Sequence, residues 1–431
     1  TNGSSSDGSS TTEAVRIDAS GNVGIGTSSP SSTLDVQSPD GTTASVEIQG
    51  GDGNSKNLIF RKASAIQGRI RTVGDALEFG VGSSATEAMR ISTSAVTLAD
   101  GVELLTSTAG SDNIRIGEAA GDAITSGATS NIVIGKNAGG AITTGDANIA
   151  IGVGALKTED TGVRSIAIGS QALAVQDRDG FNYNIAVGYE AGNDVTTGIK
   201  NIIVGGFTAD ALTTGQENVA IGHVALGAEV AGNYSVAIGK GALQNQTNSS
   251  ATSVYNVAVG FDAGNDVTTG TNNTFIGALS GDANTTASNN TAVGSSSLSD
   301  NTTGTQGTAL GVQALLRNTT ANNNVAVGFQ ALRLNTTGGN NTAIGTQAMD
   351  ANTTGTQNTA VGRESLNANT TASQNTAMGY RALKTNTTGA SNTAVGKDAL
   401  EQNTTGSYNA AFGELALDAN TEGNNNTAVG R

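Results

Sequence analysis

One unit recurs along three quarters of this chain: a polar residue, usually Asn, then three strand-forming residues, then Gly. It reads Asn131-Ile-Val-Ile-Gly135, Asn148-Ile-Ala-Ile-Gly152, Asn218-Val-Ala-Ile-Gly222, Asn341-Thr-Ala-Ile-Gly345 and Asn392-Thr-Ala-Val-Gly396. The closing glycines run from Gly117 to Gly430, nineteen marks and eighteen intervals, of which fifteen are 17 residues long and the others 18, 19 and 21. A period of 17 is too short for a two-helix repeat or a propeller blade, which need about 33 residues or more. It fits one coil of a parallel β-solenoid, each coil stacked on the last at about 4.8 Å, and eighteen intervals then give a rod on the order of 90 Å long. The longer intervals, around Asp177–Tyr183 and Gln244–Tyr255, are expected to bulge outward without breaking the stack.

Composition agrees with a thin, repetitive fold. Of 431 residues 60 are Gly, 3% are aromatic, and there is no Trp or Cys, which is too little bulk for several ordinary globular cores. Both prolines, Pro30 and Pro39, lie near the start. The long proline-free remainder suits continuous β pairing, since proline removes a ladder donor. A net charge of −15 argues against nucleic acid as a partner, because phosphate contacts need clustered Lys and Arg. No apolar run approaches the roughly 20 residues of a membrane-spanning helix, so this segment is not expected to insert in a membrane. The chain opens on Thr1 and stops just after a repeat, at Arg431, which reads as a segment of something longer.

Within the unit, the residue before each Gly is large and apolar (Ile134, Val187, Leu310, Met378, Phe412) and is expected to face the core. The Leu of the following Ala-Leu pair, as in Ala331-Leu332, is a second expected core position. The middle strand residue is nearly always Ala (Ala150, Ala220, Ala343, Ala394) and by strand alternation should point outward. Such an outer alanine stripe would suit close contact with other copies, a cyclic homotrimer being the preferred closure. The tetrapeptide Asn-Thr-Thr-Gly, at Asn301, Asn335, Asn352, Asn386 and Asn403, reads as a corner whose asparagines can hydrogen-bond up the rod. The same triplets are formal N-glycosylation acceptors; serving the corner is the favoured role of that Asn.

The Asn-x-Ala-Val/Ile-Gly units resemble the head repeats of trimeric autotransporter adhesins, although those units are usually shorter. The longer form, Asn-Thr-Ala-Val-Gly-x-x-Ala-Leu with Asn-Thr-Thr-Gly, is similar to repeats of phage tail fibres. So is the amino-terminal stretch Glu13-Ala-Val-Arg-Ile-Asp-Ala-Ser-Gly-Asn-Val-Gly-Ile-Gly-Thr-Ser-Ser-Pro30, echoed by Glu87-Ala-Met-Arg-Ile-Ser92. The resemblance implies an all-β, left-handed, homotrimeric β-roll in a virion tail fibre that attaches to a host surface through a receptor or glycan. A cell-surface trimeric adhesin or another extracellular filament is the alternative. The expected organisation is a β-rich collar over 1–112, with a hairpin turning at Ser20-Gly21-Asn22, and a solenoid rod over 113–431.

The chemistry is sparse, and no catalytic, cofactor-binding or metal-binding residue is assigned. His223 is the single histidine and is expected at the surface. Gly24-Ile-Gly26 lacks the third glycine of a dinucleotide loop and suits a hairpin. Gly50-Gly-Asp-Gly-Asn54 resembles a calcium nonapeptide but occurs once; Asp177 and Asp179 could bind a cation, and a solvated loop is the favoured reading of them. Two other function classes would each leave a signature in the repeats. An ice- or polysaccharide-binding solenoid would need a Thr-x-Thr rank, and a glycan hydrolase would need paired carboxylates in register. The repeats offer neither.

Overall fold

The computed structural model describes residues 15–37, 57–62, 65–73, 76–81, 86–91, 96–98 and 110–431, and the chain divides into two compact units, Thr1–Leu104 and Leu105–Arg431. Every regular element among the described residues is a β-strand. The Gly50–Asn54 motif lies outside the described residues.

In the first unit, β1 (Val15–Ile17) and β2 (Val23–Ile25) form the expected antiparallel hairpin, and β3 (Leu34–Val36) pairs parallel to β2. Asp18 organises the turn: its Oδ1 accepts from the backbone N–H of Ser20 and Asn22 at 2.8 and 2.9 Å, and Gly21 takes φ +84°. A second sheet is an antiparallel meander of β4 (Asn57–Lys62), β5 (Ala65–Val73), β6 (Ala76–Val81), β7 (Thr86–Ile91) and β8 (Val96–Leu98).

The second unit is a parallel β-solenoid. Nineteen three-residue strands, from Ile114–Ile116 to Thr427–Val429, pair parallel and strictly in register, one per coil. The long coils obey the same register, Ile166 pairing with Ile185 and Val236 with Val257, and their extra residues leave the stack untouched. Small parallel pairs, Gly162–Val163 with Gly180–Phe181 and Gly232–Asn233 with Thr252–Ser253, anchor the insertions.

The inside and outside of the strand are the reverse of the sequence expectation. The middle alanines, Ala150, Ala220, Ala343 and Ala394 among them, are fully buried, whereas Ile344, Met378 and Phe412 before the glycines are 40, 44 and 42% exposed. Alternation holds, but the small residue faces inward because the coil is narrow. Across from it lies the Leu of Ala-Leu, and Leu156, Leu226, Leu332 and Leu383 are all fully buried. Where the middle residue is larger, the opposite position shrinks. Val133 faces Gly139, Ile203 faces Gly192, and Phe275 faces both Gly264 and Gly281; a Cβ at these glycines would come within 2.4–2.8 Å of the bulky side chain. Each coil thus holds nearly constant core volume, as close-packed interiors demand.

Polar ladders flank this core. The Asn-Thr-Thr-Gly asparagines are buried and stack through their amides: Asn335 Nδ2 donates to Asn318 Oδ1 at 2.9 Å and to Gly338 O, and Asn335 Oδ1 accepts from Asn352 Nδ2 at 2.7 Å. The asparagines before the strands form a second ladder, in which Asn341 N donates to Asn324 Oδ1 at 2.9 Å and Asn341 Nδ2 to Gly355 O at 2.8 Å. The left-handed turns fall elsewhere than the Asn-Thr-Thr-Gly corner. In one coil they are Gln330 (φ 54°), Leu332 (φ 52°) and Asn340 (φ 60°), together with the strand-end Gly328 (φ 134°). That glycine is required twice over, since a Cβ there would also lie 2.6 Å from the carbonyl oxygen of Gly345 in the next coil.

Two outcomes test this core. Ala343→Phe alone should overpack the coil at a cost of about 1–3 kcal/mol or more. Adding Leu332→Gly and Met349→Gly, which copies the arrangement around Phe275, should recover much of the lost melting temperature. Asn335→Ala should lower thermal stability by about 1–3 kcal/mol for each buried partner left unpaired, more than Thr337→Ala on the exposed side of the same corner.

Candidate interaction surface

The outer face of the strand stack is the rod's most continuous chemical feature. Its third-position column, Ile116, Ile134, Ile151, Ile168 and onward to Val429, is apolar in all nineteen coils and half-buried to exposed. The first-position column is Ile or Val through Val257 and mostly Thr from Thr274 on. The polar drift along the rod is therefore a change of its outer surface, since the middle alanines continue inside.

Aromatic and charged side chains border this face at coil spacing. Tyr189, Phe207 and His223 run edge to face, with centroids 5.2 and 6.1 Å apart. Just upstream of the strands, Arg164 lies 4.8 Å over the Phe181 ring of the first insertion, and Tyr234 stacks on Tyr255 at 5.2 Å. Ion pairs also bridge successive coils: Lys200 with Glu217 at 2.8 Å, Arg317 with Asp300 at 2.9 Å, and Arg333 with Asp350 through two contacts of 2.8 and 3.0 Å. The exposed pairs, Lys200–Glu217 and Arg317–Asp300, contribute at most about 1 kcal/mol each and mainly favour the native register.

His223 is exposed, as expected, and Gly24 and Gly26 belong to the β1–β2 hairpin region. Asp177 and Asp179 lie in the insertion, where Asp179 Oδ1 accepts from Thr161 Oγ1. Glu159, which sequence reasoning passed over, is fully buried. Its carboxylate accepts from Gly162 N at 2.7 Å, Gln176 Nε2 at 2.8 Å and Asn182 Nδ2 at 2.9 Å, and one carboxylate oxygen lies close to those of Asp160 and Asp177. A signal was present in the sequence. Glu159-Gln176 and Glu229-Gln246 hold the column that later becomes the Asn ladder, each just before an insertion. The sequons of that ladder, Asn284 to Asn403, are buried and hydrogen-bonded through Nδ2, which leaves no room for a glycan on the folded rod.

Comparison of the chain with family models, with curated proteins and with solved structures finds no match.

Burial pushes the Asp282 carboxyl up, with the neighbouring charges of Asp300 and Asp266 adding to it against the hydrogen bond donated by Ser299. Burial likewise raises Glu159 and Asp210. A carboxyl raised on folding holds its proton more tightly in the native state. Its stabilising contribution is complete below the unfolded value, 3.8 for Asp282, and is lost as pH rises through the folded value. Melting curves from pH 3.5 to 7 should therefore show Asp282→Asn gaining on the native chain as pH rises; parallel curves would contradict the assignment.

Proposed function

We propose that this chain is a non-enzymatic structural and adhesive fibre, a phage tail-fibre segment whose rod carries host-surface attachment. The observation that carries the structural reading is the stack itself: nineteen coils in unbroken register, with no deep cleft needed and every insertion placed outside. A rod of this kind spans distance at low cost in side-chain bulk. The tail-fibre assignment rests on the sequence resemblance of the repeats and of the amino-terminal stretch. Immunogold labelling with antibodies raised against residues 113–431 should mark tail fibres on virions of the source; label confined to cell envelopes would favour the adhesin.

Self-association belongs to the same reading, with its contact moved from the buried alanines to the outer strand face. An apolar column of nineteen side chains is comparable with the about 20–30 residues a side of a stable interface. Its repeat matches that of another copy coil for coil, and a homotrimer around a common axis closes three such faces together. Among the described residues no helix is long and apolar enough to cross a membrane.

Ile344→Glu, on the outer face, should yield a folded species of lower mass by mass photometry. Ala343→Glu should instead unfold the surrounding coils, because it buries a carboxylate. A monomeric native chain, or an Ile344→Glu oligomer of unchanged mass, would refute this interface.

A further inference from the structure

The root of the first insertion gathers three carboxylates without a countercharge. Oxygens of Glu159, Asp160 and Asp177 all lie within 4.8 Å of one another. That is about the diameter of a calcium coordination sphere, whose oxygens sit at about 2.3–2.6 Å from the ion. Among the described residues no Lys or Arg ion pair reaches any of the three. Glu159 and Asp160 belong to one coil and Asp177 to the next, so the group straddles a coil boundary.

A second observation points to a missing positive partner. Asn182 is fully buried, and its Nδ2 donates to Glu159 Oε2 at 2.9 Å and to the Arg178 carbonyl. The Oδ1 of the same amide is buried with no hydrogen-bond partner. An unpartnered buried carbonyl oxygen is costly in a folded chain and is a hard, neutral ligand for a divalent cation.

The rod contains its own comparison. At the second insertion Glu229 is also fully buried and accepts from Gln246 and Asn248, at 2.7 and 2.9 Å. There Val230 and Thr247 stand where the first site has Asp160 and Asp177. Backbone N–H groups of Val230, Ala231, Gly232 and Asn248 surround Glu229, and no buried amide oxygen beside it lacks a partner. The same buried glutamate is thus satisfied by donors alone at one insertion. At the other it meets two more acids and an orphaned oxygen.

We propose that Glu159, Asp160 and Asp177, with the Asn182 side-chain oxygen, bind one calcium ion per chain that ties two successive coils to the first insertion. The oxygen-only donor set favours calcium over softer transition metals, and the irregular, partly exposed arrangement disfavours magnesium, which demands near-octahedral geometry. The site is independent of the fibre reading and of the number of chains in the assembly.

The test is calorimetric titration of the chelator-treated, full chain with calcium chloride, with terbium luminescence as a second readout. One site per chain is expected, with a Kd of about 10⁻³ M or tighter, as in extracellular calcium modules. Asp177→Asn should weaken binding at least tenfold, whereas Asp194→Asn, an exposed acid one coil on, should leave it unchanged. Calcium should raise the melting temperature of the native chain and not that of Asp177→Asn. The metal-free variant should melt no lower than the metal-free native chain, which separates lost binding from lost folding. Absence of saturable binding up to about 10 mM calcium, or equal binding by Asp177→Asn, overturns the site.

Discussion

Every residue of the regular coils lies above and below its own counterpart, because the strands pair in register one coil apart. That self-stacking is the constraint on which the rest of the structure depends. A side chain is acceptable at an interior column only if it is compatible with a copy of itself at about 4.8 Å. Asparagine meets the condition, since its amide donates upward and accepts from below. Thus Asn301, Asn318, Asn335 and Asn352 form one continuous chain of hydrogen bonds. A column of carboxylates would repel itself, and buried glutamate is accordingly followed by glutamine: Gln176 Nε2 donates to Glu159, and Gln246 Nε2 to Glu229. The glutamine oxygens then accept from Asn184 and Asn256. Serine stands in the strand-side ladder at Ser165 and Ser235, and the same glutamines reach it at 2.8 and 3.0 Å. Two irregular columns are spliced together just where the insertions enter.

Much of this was legible in the sequence because the period is a direct copy of the geometry. The 17-residue spacing specified the coil, the Gly marks located the strand ends, and the stacked corner asparagines followed from identical side chains at identical positions. The inward side of the strand is not legible from side-chain size, which guides burial in wide cores but not here. In a coil this narrow the interior is shared between two facing positions, and Leu332 and Met349 fill it from the other side of Ala343. The exchange of Leu for Gly opposite Val133, Ile203 and Phe275 carries that information. It is visible in the sequence only to a reader who compares positions 6 and 11 residues apart. Folding places those positions face to face; the linear repeat does not advertise it.

The glutamate site was harder to see, for a different reason. Glu159 occupies a column that is Ile142 one coil earlier and Asn284 further on, so it carries no motif of its own. Its significance comes from three segments meeting: the coil that contains it, the next coil through Gln176, and the far end of the insertion through Asn182. Gln176 lies one period on, but Asn182 lies at no fixed spacing, because the insertion adds residues between it and Glu159. A periodic fold is readable from its period, and its chemistry concentrates where the period is interrupted.

The same alternation that buries alanine also explains why the outside of this rod is unlike an ordinary surface. With strands only three residues long, one middle side chain turns inward and two turn outward, and the outward pair in most proximal coils is aliphatic. A single solvated sheet face would ordinarily carry polar residues at those places. Distal coils partly adopt that pattern with Thr274, Thr291 and Thr308 at the first position, yet keep Ile276, Val293 and Leu310 at the third. A third-position column held apolar through nineteen coils, while its neighbour is free to turn polar, is what one side of a repeated contact requires. The interior does not require it, because the core is already filled by Ala and Leu. Under the proposed self-association that column is the contact, since a rod of the same pitch matches its spacing at every level.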